Sequence, residues 1–167
     1  MRELALRVRE LLAASDQYRQ ATAAALGVGV PEAVTLGQLY HSGQLTPTVL
    51  AERLGMTTAS VTGLLDRMAA SGFLTRSPNP HDRRSILVTL TDDGLRTARA
   101  AFELFAEDIE LAMAGAEPAE RASLERLLRR AAAALQHRAA DPERLAESLA
   151  AGRRGSPAGG DQESTDS

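Results

Sequence analysis

The chain has no cysteine and no tryptophan, and aromatic side chains make up only 3% of its 167 residues. Without thiols there is no disulfide framework, no thiolate metal site and no thiol redox switch. With so few rings the core must be aliphatic, drawn chiefly from leucine, valine and alanine, which favours helices. Lysine is absent too, so all 19 basic side chains are arginine. No apolar run approaches the roughly 18 residues that a bilayer span requires, and the N-terminus alternates charged and apolar residues in place of a signal-peptide core. A cytoplasmic location without membrane contact is the expectation. His41, His81 and His137 lie far apart with no ligand spacing, and no nucleophile–base set or phosphate loop is visible. No metal, cofactor or enzymatic activity is therefore expected.

What is present is concentrated between Thr46 and Leu90. The run TPTVLAERLGMTTASVTGLLDRMAASG places Leu50, Ala51, Leu54, Met56, Val61, Leu64, Leu65 and Met68 where two steeply crossing short helices must touch, which is helix-turn-helix spacing. Ala51 is small at the crossing, Val61 fills the space between the helices, and Gly55 stands where the chain leaves the first helix with positive φ. Thr46 is placed to cap the first helix, with Pro47 at its first position, and Thr57 to cap the second. On a wheel of about 100° per residue, Val61, Leu64, Leu65 and Met68 share a core face. Opposite them lie Ala59, Gly63, Asp66 and Ala70, flanked by Thr58 and Thr62 on one side and Ser60 and Arg67 on the other. Such a face suits a major groove, with short hydroxyls for base edges or phosphates and Arg67 for a phosphate or guanine edge. A solvated helix face has the same pattern in isolation.

After Gly72, FLTR, SPNPHDRR and SILVTL read as strand, loop and strand. Ile86, Val88 and Leu90 alternate inward against Leu87 and Thr89. Pro78 and Pro80 stiffen the loop, which ends in His81, Asp82, Arg83 and Arg84. Adjacent arginines on such a tip suit a minor groove or its rims, and Asp82 reads as a brace for a neighbouring arginine, Arg67 or Arg76. An ordinary solvated hairpin tip is the plain alternative.

The net charge of −3 argues against nucleic acid until its distribution is considered. Residues 46–90 hold five arginines against three acids, a local +2, whereas residues 91–167 carry 10 arginines against 15 acids. So small a basic footprint predicts few phosphate contacts per subunit and a dimer to multiply them.

The flanking segments are helical in pattern. From Arg2 to about Leu26, Leu4, Val8, Leu11, Ser15, Tyr18 and Thr22 form a narrow seam suited to a partner helix. A helix from Pro31 to about Ser42 carries Val34, Leu36, Leu39 and Tyr40. Thr91 caps a long helix through Leu95, Ala98, Phe102, Phe105, Ile109 and Met113, and Pro118 opens another with Leu124, Leu127, Leu128, Ala131 and Leu135 on one face. The winged unit alone cannot bury these stripes, so a second copy is expected to. The resulting division is a dimerisation helix over 1–30, a DNA-binding unit over 31–90, dimerisation helices over 91–138, a short helix over 139–151 and a disordered tail over 152–167. The fold class is mainly α with a small β-hairpin wing, a winged helix-turn-helix with N- and C-terminal dimerisation helices.

From Leu54 to Gly94 the sequence resembles the MarR family of bacterial transcriptional regulators. The resemblance rests on SVTGLLDRM, on SGFLTR and above all on PNPHDRRSILVTLTDDG, which matches the family's Asp-any-Arg, strand and Leu-Thr-x-x-Gly wing pattern. It implies a homodimeric winged-helix transcriptional regulator; the reading adopted is a repressor that binds double-stranded DNA, where a dimer axis calls for an inverted-repeat operator. Arg84 then becomes the wing residue expected in the minor groove, and Thr57, Thr58, Ser60, Thr62 and Arg67 fall at recognition-helix contact positions. Thr46, Thr48, Gly63 and Arg83 complete the candidate DNA-contacting set. Many members carry a long basic residue where this chain has Gly63, so neighbouring threonines or DNA shape would have to replace it. The resemblance also implies a small aromatic or anionic ligand in a cleft, with Tyr18, Arg19, Tyr40, His41 and Phe102 as candidates. Each of these also has a plain role, the rings as core or seam residues and His41 and Arg19 as surface residues. The alternative function is a winged helix used for protein docking without operator binding.

Overall fold

In the computed structural model, which describes residues 2–154, the chain divides between Ala112 and Met113 into two compact units. The boundary falls within the segment that the sequence pattern assigns to a pair of dimerisation helices. In the first unit, α1 (Arg2–Ala25) and α2 (Val30–Ser42) precede β1 (Gln44–Leu45), α3 (Pro47–Leu54) and α4 (Thr58–Ala70). The strands β2 (Leu74–Asn79) and β3 (Asp82–Leu90) then lead into α5 (Asp92–Ala112). The second unit contains α6 (Pro118–Ala139) and α7 (Pro142–Arg154).

The core lies between α2, α3, α4 and β3. Leu36, Leu39, Leu50, Val61, Leu64, Leu65, Met68 and Val88 are fully buried there, each contributing about 1.5–3 kcal/mol of transfer free energy. Local chemistry sets the angles between the helices. The Thr46 side chain accepts a hydrogen bond from Val49 N at 3.3 Å and opens α3. Gly55, at φ 62°, ends that helix in the left-handed region, and Thr57 opens α4 by accepting from Ser60 N at 3.2 Å. Thr35 is buried without penalty, because its hydroxyl donates to Pro31 O at 2.7 Å. Arg53 ties α3 to α2 through Gln38 Oε1 and Ser42 Oγ, both at 2.9 Å.

Three features depart from the sequence expectation. First, β1 pairs with β3, giving the sheet order β1-β3-β2, and two residues are too few to leave a periodicity. Second, the expected eight-residue loop SPNPHDRR is mostly strand. Ser77 pairs with Leu87 and Pro78 with Ile86, followed by a register shift, so only Pro80 and His81 connect the strands. Pro78 is tolerated because β2 is an edge strand. Arg83 and Arg84 accordingly stand on β3 and not on a loop tip. Third, the inward alternation of β3 holds only near its base. Val88 is buried and Leu90 partly so, but Ile86 is 39% exposed because the hairpin projects past the core. At the other end of the chain, α7 runs through Arg154, past the expected boundary at Gly152, and the tail expectation for 155–167 lies outside the described residues.

Candidate nucleic-acid interface

Helix α4 exposes Thr58, Ala59, Ser60, Thr62, Asp66, Arg67 and Ala70 on the side away from its buried Val61, Leu64, Leu65 and Met68, with Gly63 half-buried. The hydroxyls are held in place locally. Thr57 Oγ1 and Ser60 Oγ are 2.9 Å apart, and Thr62 Oγ1 donates to Thr58 O at 2.9 Å. A hydroxyl so engaged still has acceptor capacity toward a base or an amino group.

The hairpin is knit by short-range bonds. Asn79 Nδ2 donates to Ser85 Oγ at 2.8 Å, His81 N to Asn79 Oδ1 at 3.0 Å, and Arg84 N to Asp82 Oδ1 at 3.0 Å. This last contact corrects the expectation that Asp82 braces an arginine side chain. Its carboxylate grips the Arg84 backbone two residues on, a turn that Asp forms readily at a strand start. The two arginines proposed for it have other partners. Arg76 Nη1 donates to Asp66 Oδ1 at 2.7 Å, joining β2 to α4. Arg67 donates through Nη2 and Nε to Glu32 Oε1 at 2.8 and 3.3 Å, joining α4 to α2. Neither Glu32 nor Asp66 is signalled as a partner by the sequence, and Glu32, 35 residues before Arg67, leaves no spacing signal.

Arg83 and Arg84 are exposed, and neither takes part in an ion pair among the described residues. Arg84 and Asp82 line one side of a cleft of about 370 Å³ whose other side is formed by Thr46, Pro47 and Thr48 at the start of α3. Two parts of the candidate set, far apart in sequence, therefore face one another.

The candidate ligand residues divide differently. Tyr18 of α1 meets Phe105 of α5 edge-on at 5.6 Å between ring centroids, and Tyr40 of α2 meets Phe102 of α5 at 5.5 Å. The Tyr18 hydroxyl is buried with no hydrogen-bond partner in the structure. Arg19 is paired with Asp16 on its own helix, and His41 is exposed.

A helix-turn-helix, an antiparallel hairpin with an arginine pair and a hydroxyl-bearing second helix together define a winged helix-turn-helix protein of the nucleic-acid-binding type. Comparison with known proteins agrees. The MarR family model matches residues 26–85. The HTH-type transcriptional regulator YkoM of Bacillus subtilis is 32% identical over 111 residues, covering 66% of this chain and 72% of that protein. The chain belongs to the MarR family of transcriptional regulators. The regulator YfiV of Bacillus subtilis is 37% identical over 78 residues, which span 47% of this chain and about half, 49%, of that relative. Among solved structures, a MarR variant from E. coli complexed with operator DNA superposes with a TM-score of 0.55 at 25% identity, covering 77% of this chain and 93% of that one. No helix among the described residues is long and apolar enough to cross a membrane.

Proposed function

We propose that the protein is a homodimeric, sequence-specific DNA-binding regulator, a repressor released by a small aromatic or anionic ligand. The observation that carries this reading is the cleft shared by Arg84 with Thr46 and Thr48, which would let the wing and the first helix of the motif grip one duplex. The hydroxyl face of α4 supplies groups for the major groove, and the operator-bound E. coli neighbour supports the same partner.

Apolar side chains left in water support the dimer. Leu4 and Leu11 on α1 are 60% and 55% exposed, and Phe102 and Ile109 on α5 are 52% and 44% exposed. Helix α6 buries no residue within its own unit. Continuous apolar stripes of this kind mark an interface, and a second copy would cover them. A two-fold axis would then set two recognition helices about 34 Å apart, matching an inverted repeat read on one DNA face.

The aromatic pairs of α5 with α1 and α2 support the ligand. A flat acid inserted there would bind one arrangement of these helices better than another, and only that difference can change the affinity for DNA. A mobility-shift titration with DNA flanking the chain's own gene tests the whole reading. A complex of two subunits with footprints on both half-sites is expected; binding no tighter than to a random duplex overturns it.

A further inference from the structure

Arg67 is the only basic residue of α4, and every nitrogen of its guanidinium is engaged. Nε and Nη2 reach Glu32 Oε1, and Nη1 reaches Gly63 O at 3.3 Å. The pair is asymmetric, since the Arg67 side chain is 66% exposed but that of Glu32 only 15%. Arg67 by itself would be well solvated, whereas its departure would leave a largely desolvated carboxylate without its partner. Glu32 also occupies a place shaped for it. It lies in the first turn of α2, where the helix dipole favours negative charge, and a Cβ on Gly29 would overlap Glu32 Oε2 and come 3.2 Å from Cδ.

We propose that Glu32 withholds Arg67 from DNA and is thereby a specificity-determining residue of the recognition surface. The inference rests on the DNA-binding function proposed above. Each phosphate neutralised by a cation strengthens binding to any sequence, so a recognition helix with its cation held back gains less from random DNA. Discrimination then falls to the Thr58, Ser60 and Thr62 hydroxyls and to the wing arginines. Specificity is a difference of affinities, and suppressing the common term widens it.

The test uses the full chain with three substitutions, E32A, G29A and R67Q, each measured on the gene-flanking duplex and on a random duplex of equal length. G29A displaces the Glu32 carboxylate while leaving the net charge unaltered, which separates release of Arg67 from a general charge effect. Far-ultraviolet circular dichroism establishes that each variant is folded, and E32A and G29A serve as substitutes for each other. Both should strengthen binding to the random duplex more than to the flanking one and steepen the salt slope by about 0.9 per subunit. R67Q should weaken random-duplex binding less than about twofold in the parent, but about fivefold in E32A and in G29A. An equal loss in parent and variants would mean that Arg67 already sits on DNA, and an unchanged salt slope would mean that it is never released; either overturns the proposal. A parent that binds both duplexes equally well instead refutes the operator reading, while the cycle on the random duplex still decides the role of Glu32.

Discussion

Gly94, at the start of α5, lies directly against the backbone of Phe73: a Cβ there would overlap the Phe73 carbonyl oxygen and come 2.9 Å from its carbonyl carbon. The same oxygen accepts from Thr91 N at 3.0 Å, and the Thr91 hydroxyl donates to Gly72 O at 2.5 Å while accepting from Gly94 N at 3.1 Å. The Leu-Thr-x-x-Gly motif is therefore the joint by which the wing's last strand and α5 are bolted to the end of the recognition helix. Gly94→Ala should destabilise the protein by about 1–3 kcal/mol, because the obstacle is backbone that cannot rotate away. Urea unfolding of the two proteins measures this, and equal midpoints would show that the joint has room to spare.

The wing supplies a second prediction. Arg84→Ala should weaken specific binding by about 1–3 kcal/mol and reduce the salt slope by about one per subunit. Fluorescence anisotropy at several salt concentrations reads both quantities, and an unchanged slope would remove Arg84 from the phosphate contacts.

Asp82 can be assigned by a matched pair of substitutions. Since its oxygen accepts from Arg84 N, Asp82→Asn should bind DNA nearly as the parent does, whereas Asp82→Ala should lose about 0.5–1.5 kcal/mol by freeing the turn. Equal losses in both variants would indicate that the charge is needed.

For the proposed dimer, Ile109 offers a site whose substitution leaves the single-chain core alone, being 44% exposed. Ile109→Glu should raise the dimer dissociation constant at least about tenfold, since an unpaired charge would be buried against the second copy. Sedimentation velocity across a concentration series gives the answer, and an unshifted monomer–dimer equilibrium would move the interface elsewhere.

Ligand control is tested by linkage. Tenfold release from DNA needs about 1.4 kcal/mol of coupling, and operator DNA must weaken the ligand by the same factor. Titrating benzoate or salicylate with and without operator duplex measures both sides. Equal affinity in the two titrations would exclude the Tyr18 and Tyr40 region as a regulatory site for these acids.

Much of the fold was legible in the residue order, because the signals involved are local. Thr46, Gly55 and Thr57 mark helix ends through bonds that span three or four residues, and Leu64, Leu65 and Met68 declare a buried face by spacing alone. The wing motif marks Arg84 as a candidate for the minor groove, which the salt-slope measurement tests. Contacts between distant segments were not legible. Nothing in the spacing of Glu32 and Arg67 indicates that they meet, nor that Asp66 and not Asp82 takes Arg76. The two-residue β1 is recognisable only through the β3 strand it pairs with, and the length of the hairpin depends on a strand register that Pro78, on an edge strand, does not interrupt. Periodicity records what each segment buries, whereas a charge pair forms wherever packing brings two flexible side chains together. The elements were therefore written in the sequence, and the choice of which arginines remain free was made by tertiary structure.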